Sequence, residues 1–551
     1  ESLTTGSVAT LTTTQLAALS TSQVRGISTA GVAAMTSTQT TTLSTTNLAA
    51  LTTDQIKSLT TGNVSTLGTT QVKAMTSDQI AVLTTAQLQS LSTSQVQAID
   101  TADVAALTSN QIKALSTSSL SGMTTTQVAA LTSEQITSVA TAALAGMSTA
   151  QVAALTTGQV AALGATQVQA LETADVAVLS STQAQALSTA QVAALSTAQV
   201  QAMSTSGVTG LTTDAIKGLS NAQLQAITTA GVAALTTTQV GALGTAQVAA
   251  LTSTEAAALT TTQVQAMSTA QVKALEVGDL AAMTTAQVVA LTTGQVSALT
   301  TGQVSSLTTG QVAALTTSQV NVLSSTQVQA LGTSQVAALT TSQVAALTTS
   351  SVSALSEADV RVLSTGQVNA ISTSGVAVMS TTQVAALSTD QVAAFSTAQV
   401  SALTTTEAAT LTAAQAKALT TAQVQALNTD NVKALNLNSV KAMTTDQLKA
   451  LSTTQLNALE TEDFANLSDA QITGLTTAQV QALTTSAIAA LTADQVSKLT
   501  TSQVAVVTST NVGALNSDQV SVLSTAQLST LGTGQVKSIT TSAVAAMTTT
   551  Q

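Results

Sequence analysis

Pairs of carboxylates three residues apart are the arrangement in this chain that comes nearest to a chemical site. Asp100 is followed by Asp103, and Glu172 is followed by Asp175. Two carboxylates at this spacing could serve as an acid and a base, or could contribute to a calcium site. The same spacing also suits the N-cap and N3 positions of a helix, where each side chain can accept a hydrogen bond from the backbone amide of the other residue. We favour capping, because it explains both residues and their separation.

The densest acidic spot of the chain is formed by Glu460, Glu462 and Asp463. It could bind a calcium ion weakly, although a solvated helix start explains it more simply. The chain has no Cys, His, Tyr or Trp, so the ligands of zinc and haem and the usual nucleophile–base pairs are missing. Basic patches, aromatic platforms and Gly-rich phosphate loops are also missing. We therefore expect no catalytic, cofactor-binding or metal site, no nucleic-acid partner and no enzyme.

These acids are placed by a unit of eight residues, seen plainly in "LTTGQVSALTTGQVSSLTTGQVAA" at 291–314. Counting in eights from Val8 to Val544, an apolar residue returns almost every time, with Thr40 and Ala184 among the exceptions. A second apolar position follows three residues later, as at Leu299. The frame has no insertion or deletion, which is typical of a repeat architecture.

The conformation of the unit is indicated by where its charges lie. A continuous helix and a plain strand both fail, because neither keeps the two apolar positions on one face. A β-solenoid and a chain of short helices both remain open, and the richness in Val and Thr favours the former. However, 12 of the 13 Lys and Arg directly follow the Val position, and all acids but Glu1 lie in the four residues after Leu. This sorting matches the dipole of a helix that begins after each Leu.

The remaining letters of the unit agree with a helix start. The residue after Leu is usually Ser, Thr, Gly, Asn or Asp, the residues preferred at an N-cap. Thr292 and Gln295 then form a capping box, and Leu291 and Val296 form a hydrophobic staple. Asp100 and Asp103 fall on the same two positions as Thr292 and Gln295. One unit is therefore one short helix of about six or seven residues with a corner.

Helices this short are stable only when they stack on neighbours. We predict an all-α fold: a single continuous octapeptide-repeat solenoid over residues 1–551, with the β-solenoid as the alternative. The number of units per coil stays open, because Met, Gly and Lys show no longer period. With three units per coil and helices packed about 9 Å apart, the chain would form a rod of about 200 Å. It begins and ends within a unit, so we expect it to be a segment of a longer polypeptide.

Thr at the first helical position (N1) is not explained by capping, because the residue before it already caps the helix. Thr293, Thr301, Thr309 and Thr317 hold this position in successive units. We expect these hydroxyls to bond open carbonyls, or the side chains to pack a tight corner. A functional Thr array that binds ice or carries O-linked sugar is the alternative.

The tandem L-[ST]-T-x-Q-V-x-A units, as in "LSTAQVAALSTAQVQAM" at 187–203, resemble the very long repeat proteins of Gram-negative bacteria that are described as haem-utilisation, adhesion or surface-repeat proteins. The resemblance extends over the whole chain and rests on composition. It implies secretion and a role at the cell surface. The haem description finds no ligand in this sequence, and Met203 occupies the Leu position of the core.

Composition is compatible with such a protein. The formal charge is −11, hydrophobic residues make up 44%, and charged residues only 7%. Apolar runs are too short to span a membrane, and no disulfide can form. We expect a structural extracellular protein that forms a rod, stalk or filament by self-association, with other surface components as further candidate partners. The alternative function is an ice- or glycan-binding module that uses the Thr array.

Overall fold

The computed structural model describes residues 3–551, and Glu1, the one acid outside the charge sorting, lies outside the described residues. Within residues 3–551 the chain forms 68 α-helices, α1 to α68, and no strand. One helix begins at every eighth residue, from α1 (Thr5–Thr10) to α68 (Thr541–Ala545), and each has four to six residues. The all-α prediction is confirmed, and the β-solenoid alternative does not hold for these residues.

Each helix begins where the repeat predicts, as in α37 (Thr293–Ala298), but with four to six residues the helices are somewhat shorter than the predicted six or seven. Thr292 is extended, with φ −69° and ψ 159°, and its side chain accepts a hydrogen bond from the Gln295 amide. The helix ends at Leu299, which returns to an extended conformation with φ −57° and ψ 139°. No described residue has a positive φ, so the corners need no glycine.

Helices three apart in the chain pack against each other from α1 to α35 and again from α36 to α68. The first helix, α1, packs against α4 (Thr29–Ala33), and α4 packs in turn against α7 (Thr53–Ser58). One coil of the solenoid is therefore three helices, or 24 residues. The structure thus supplies the number of units per coil, which the repeat alone leaves open.

The contacts group the coils into two compact units, Glu1–Met283 and Thr284–Gln551. The first unit contains α1 to α35 (Val277–Ala282), and the second contains α36 (Thr285–Ala290) to α68. Both units are stacks of three-helix coils. A single continuous solenoid over residues 1–551 stays a prediction.

The core of each compact unit consists of the Val and Leu positions of its eight-residue repeats. Val296 and Leu299 are 1% and 6% exposed, and their equivalents are similarly buried in nearly every coil. The N-cap, the next two residues and the residue after Val are mostly exposed. Each unit therefore has an aliphatic centre and a surface rich in Ser, Thr, Gln and Ala.

This aliphatic centre leaves little free space. Two voids of about 20 and 10 Å³ in the second unit are lined only by Val, Leu and Ile side chains. Each is at most large enough for a single water molecule, and neither has a polar wall. Among the described residues no helix has the length and hydropathy needed to cross a membrane.

Candidate functional site

The polar side chain that recurs at the corners of both units is the Gln at the third helical position (N3). Gln327 in α41 (Ser325–Gln329) is 3% exposed, although glutamine is usually a surface residue. Its side-chain Oε1 accepts a hydrogen bond from the backbone amide of Ser324 at 2.9 Å. The backbone amide of Gln327 in turn donates to Ser324 Oγ at 3.2 Å. The capping box predicted from the sequence is thereby confirmed.

The other end of the same side chain reaches the preceding coil. Gln327 Nε2 donates to the carbonyl of Val296, in the last turn of α37, at 3.1 Å and to that of its C-cap Leu299 at 2.9 Å. A longer contact of 3.4 Å reaches the Ser297 carbonyl. One Gln side chain therefore caps the start of its own helix and satisfies open carbonyls at the end of a helix one coil below. We call this arrangement the Gln bridge.

The Gln bridge recurs at fixed sequence separations of 28 and 31 residues. It occurs in the first unit, for example from Gln79 to Leu48 and Leu51, and in the second unit from Gln479 to Leu448 and Leu451. Because both ends of the amide are used, the buried polar group is satisfied and stabilises the stack.

Sequence reasoning missed the inter-coil half of this bridge, although a signal for it was present. A capping box needs only an acceptor oxygen at N3, and Glu supplies one as well as Gln does. Glu nevertheless stands at this position only in residues 255 and 407, whereas Gln occupies most of the others. The preference for an amide over a carboxylate indicates a donor with a partner elsewhere.

Shorter side chains at N3 make a weaker bridge. Asn431 Nδ2 donates to the Leu403 carbonyl at 2.7 Å, a single bond where Gln makes two or three. Ser439 Oγ donates to the Leu411 carbonyl at 2.6 Å. Gly207 and Ala215 have no side-chain donor at all. The number of hydrogen bonds that join successive coils therefore differs from corner to corner in the two compact units.

The carboxylate pairs singled out in the sequence lie at helix starts, but only one member of the Glu172–Asp175 pair caps. Asp175 Oδ2 accepts a hydrogen bond from the Glu172 amide at 3.1 Å, while the Glu172 side chain makes no capping bond. In the other pair, Asp100 also makes no capping bond, and Asp103 instead accepts from Ser77 Oγ in the coil below. The prediction that both members cap is wrong, because the amides of Asp103 and Asp175 donate to the backbone carbonyls of Asp100 and Glu172, both at 3.0 Å, and not to their side chains.

The acidic spot at Glu460, Glu462 and Asp463 is organised in the same way. Asp463 is buried and accepts from the Glu460 amide at 2.9 Å, whereas Glu460 and Glu462 are exposed. Burial raises the pKa of Asp463, and the charges of Glu460 and Glu462 raise it further. Among the described residues no three acidic side chains come together in a way that could hold a metal ion.

The sorted charges act mainly on helix ends and not on each other. The two ion pairs in the described residues join residues of one helix, Asp214 to Lys217 and Glu357 to Arg361, both at 3.9 Å and well exposed. Such pairs contribute little to stability. Arg25 has a different partner, because its Nε donates to the Ala50 carbonyl at 2.8 Å at the end of a helix in the next coil.

The Thr residues at N1 pack across coils through their methyl groups. A Cβ on Gly146 would lie 2.6 Å from Thr117 Cγ2, and one on Gly218 would lie 2.5 Å from Thr189 Cγ2. This supports the expectation of tight packing at the corner. The hydroxyls of Thr293, Thr301, Thr309 and Thr317, however, donate to no carbonyl in the described part of the chain, so the predicted bonds to open carbonyls are not found there.

Comparison with known proteins places this repeat in a family. No curated protein matches the chain. The ALTTAQ repeat family matches it in tandem along most of its length, at residues 8–45, 48–85, 61–93, 80–117, 96–133, 104–141, 133–165, 168–205, 216–253, 272–309, 305–333, 312–349, 352–389, 376–405, 438–469, 456–493 and 464–501. The capped, Gln-bridged helix described above is the folded form of that repeat in this chain, which belongs to the ALTTAQ repeat family.

Proposed function

We propose that this chain is a passive structural element of a bacterial extracellular assembly, such as a surface filament or an adhesin stalk. The observation that carries the proposal is the recurrence of the Gln bridge at corner after corner in both units. Because each coil offers the next one the same open carbonyls, the architecture extends by repetition and privileges no single position. A catalyst needs one distinct site, and this design favours a spacer or a polymer instead.

The exposed positions of the unit support self-association as the mode of assembly. Most are neutral Ser, Thr, Ala or Gln, and the charged residues make up 7% of the chain. Little electrostatic repulsion would therefore oppose contact between two copies. A surface pattern that returns with each coil favours open assemblies, because a contact made once can be made again along the stack.

Localisation and imaging test this proposal together. An antibody against the repeat should label the surface of producing cells, and negative staining should show filaments or stalks at the labelled sites. Purified chain should associate with rising concentration in sedimentation experiments. A variant with Thr317→Glu, Thr341→Glu and Thr365→Glu should keep its helical circular dichroism and lose association. Cytoplasmic, monomeric protein would contradict the proposal.

The second candidate function is an ice- or glycan-binding module, and one surface feature favours it. Thr293, Thr317, Thr341, Thr365 and Thr389 hold the N1 position in five successive coils of the second unit, and all five are exposed. None of their hydroxyls is hydrogen-bonded to a described residue, so all five are available to an external ligand. Thermal hysteresis, or retention on a glycan array, that disappears on changing these Thr to Val would favour this function over assembly.

A further inference from the structure

Two corners of the solenoid contain a glutamate where the Gln bridge is expected. Glu407 holds the N3 position of α51 (Thr405–Thr410), and its Oε2 accepts a hydrogen bond from the Thr404 amide at 2.6 Å. Its Oε1 is buried and has no hydrogen-bond partner, and the residue as a whole is 2% exposed. Glu255 in the first unit has the same arrangement, with a buried Oε1 that lacks a partner. An unsatisfied buried oxygen is costly, so these two atoms require an explanation.

The register of the Gln bridge identifies what Glu407 Oε1 faces. Gln415, one helix later, donates from Nε2 to the carbonyls of Val384 at 2.9 Å and Leu387 at 2.8 Å, which lie 31 and 28 residues earlier. The same separations from Glu407 lead to the carbonyls of Val376 and Met379. In the described residues no side chain donates to the Met379 carbonyl. Two buried acceptor oxygens that face each other need either a proton or a cation between them.

The surroundings of this corner favour a proton. Calcium binds six to eight oxygens, and the corner in which Glu407 is 2% exposed offers one unbonded carboxylate oxygen and two carbonyls. The helices packed against α51 are α48 (Thr381–Ala386) and α54 (Thr429–Ala434), and only α54 carries ionisable groups, Asp430 and Lys433.

None of the ionisable groups around this corner is placed to neutralise Glu407. Asp430 and Lys433 are exposed, and so is Lys417 on the helix that follows α51. Glu407 faces carbonyls at the end of α47 (Thr373–Val376), and this helix has no charged residue. Burial raises the pKa of Glu407, against the lowering effect of its hydrogen bonds with Thr404.

We propose that Glu407 is a pH-sensitive clasp: when protonated, its Oε1 hydroxyl donates to the Met379 carbonyl as the Gln amide does elsewhere, and when deprotonated it opens this corner. The step moves one proton between the carboxyl group and solvent. A carboxyl that holds its proton more tightly in the folded chain contributes stability that is complete below its unfolded pKa. That contribution is lost as the pH rises through the folded value, so the corner closes in acid and loosens towards neutral pH.

Amide hydrogen exchange in the full chain tests the clasp, with rates corrected for the intrinsic effect of pH. Protection of residues 376–384 and 404–408 should fall relative to Glu407→Gln as the pH rises from acidic to neutral, because the hydroxyl that donates to the Met379 carbonyl is then lost. Glu407→Gln should show no such fall. The exposed Asp390→Asn serves as control and should behave as the unchanged chain.

A reverse variant keeps the test decisive if Glu407→Gln folds poorly. Gln415→Glu should create the same pH dependence one helix later, at residues 384–392. Infrared difference spectra between mildly acidic and neutral pH should contain a protonated carboxyl band on the acidic side that Glu407→Gln removes. Equal protection of the unchanged chain and Glu407→Gln at all pH values would overturn the proposal. So would stabilisation by added calcium or sodium that depends on Glu407, because an ion would then occupy the corner.

Discussion

Two runs of four helices show what the Gln bridge does. In the second unit, α40 (Thr317–Asn321), α41, α42 (Thr333–Ala337) and α43 (Thr341–Ala345) each have Gln at N3, and each of these Gln donates to carbonyls of the coil below. In the first unit, α26 (Thr205–Gly210), α27 (Thr213–Lys217), α28 (Asn221–Gln225) and α29 (Thr229–Ala234) have Gly207, Ala215, Gln223 and Gly231 there. Only Gln223 makes the bridge.

The difference is accompanied by closer contact between coils in the first run. A Cβ on Gly210 would lie 2.7 Å from Ser181 Cα and nearer still to the Ser181 carbonyl oxygen. Most repeats have Ala at this position, two residues after Val, including Ala330 at the C-cap of α41. Of the six Gly found there, Gly122, Gly146, Gly210 and Gly218 belong to helices without Gln at N3. In these four helices the loss of the long amide side chain is accompanied by a Gly, whereas α29 lacks Gln and keeps Ala234.

The largest effect is expected from shifting the frame in the uniform run. Deleting residues 323–326 places the Val and Leu positions of the downstream helices out of register with the coil below. Exposing one Val and one Leu at about 1.5–3 kcal/mol each predicts a loss of about 3–6 kcal/mol. Deleting residues 323–330 removes one whole eight-residue repeat and preserves the frame, so it should hardly change the free energy of unfolding. Chemical unfolding followed by circular dichroism measures both, and equal losses would show that the frame does not hold the stack.

Removing one bridge from the uniform run should have the next largest effect. Gln327→Ala leaves the Leu299 carbonyl without its donor and the Ser324 amide without its cap, which predicts a loss of about 2–3 kcal/mol. Ser318→Ala, at an exposed position of α40, is the matched control and should change stability by less than about 0.5 kcal/mol. An equally small effect of Gln327→Ala would mean that solvent replaces the bridge without cost.

The close contact in the first run is tested by adding a single methyl group. Gly210→Ala drives a Cβ against the backbone of Ser181 and should destabilise by about 1–2 kcal/mol through overpacking. Gly294→Ala adds the same methyl where the nearest atom, Thr292 Oγ1, is 3.9 Å away. It should stabilise by about 0.4–1 kcal/mol by restricting the unfolded chain. Thermal unfolding of both variants measures the contrast, which fails if the two changes have the same sign.

The smallest effect is expected where a carboxylate replaces the amide, and it should depend on pH. Asp463→Asn supplies a donor for the Leu435 carbonyl, as Asn431 does for Leu403 at 2.7 Å, and should stabilise by about 1 kcal/mol at pH 7. Because burial raises the pKa of Asp463, the stability that Asp463 contributes is complete below its unfolded pKa and is lost as the pH rises through the folded value. The advantage of Asn should therefore shrink as the pH falls towards about 4.

Equilibrium unfolding of Asp463→Asn between pH 4 and 7 measures this effect. Glu462→Gln, a change at the exposed neighbour, is the control and should show no comparable dependence. A constant difference between Asp463→Asn and the unchanged chain over this range would contradict the assignment of a raised pKa to Asp463.

Much of the local structure could be predicted because it depends on neighbours within one unit. The bonds between Thr292 and Gln295 span three residues, and the staple of Leu291 and Val296 spans five, so their residue types alone indicate a helix start. The charge sorting gave the same answer for the same reason, since a helix dipole acts within one turn. The N-cap acids were the exception: Asp100 and Glu172 have the right position, but neither side chain makes a capping bond.

The sequence by itself therefore determined the eight-residue frame, the helix in each unit and the division into buried and exposed positions. Only the tertiary structure decided that three helices form a coil, that Gln327 reaches Leu299, and that Gly210 lies against Ser181. These contacts join residues 28 or 29 apart, and the partner depends on how far each extended corner turns the chain. A repeat of eight offers nearly the same residues at 16, 24 or 32, so no partner could be distinguished until the corners had closed the coil.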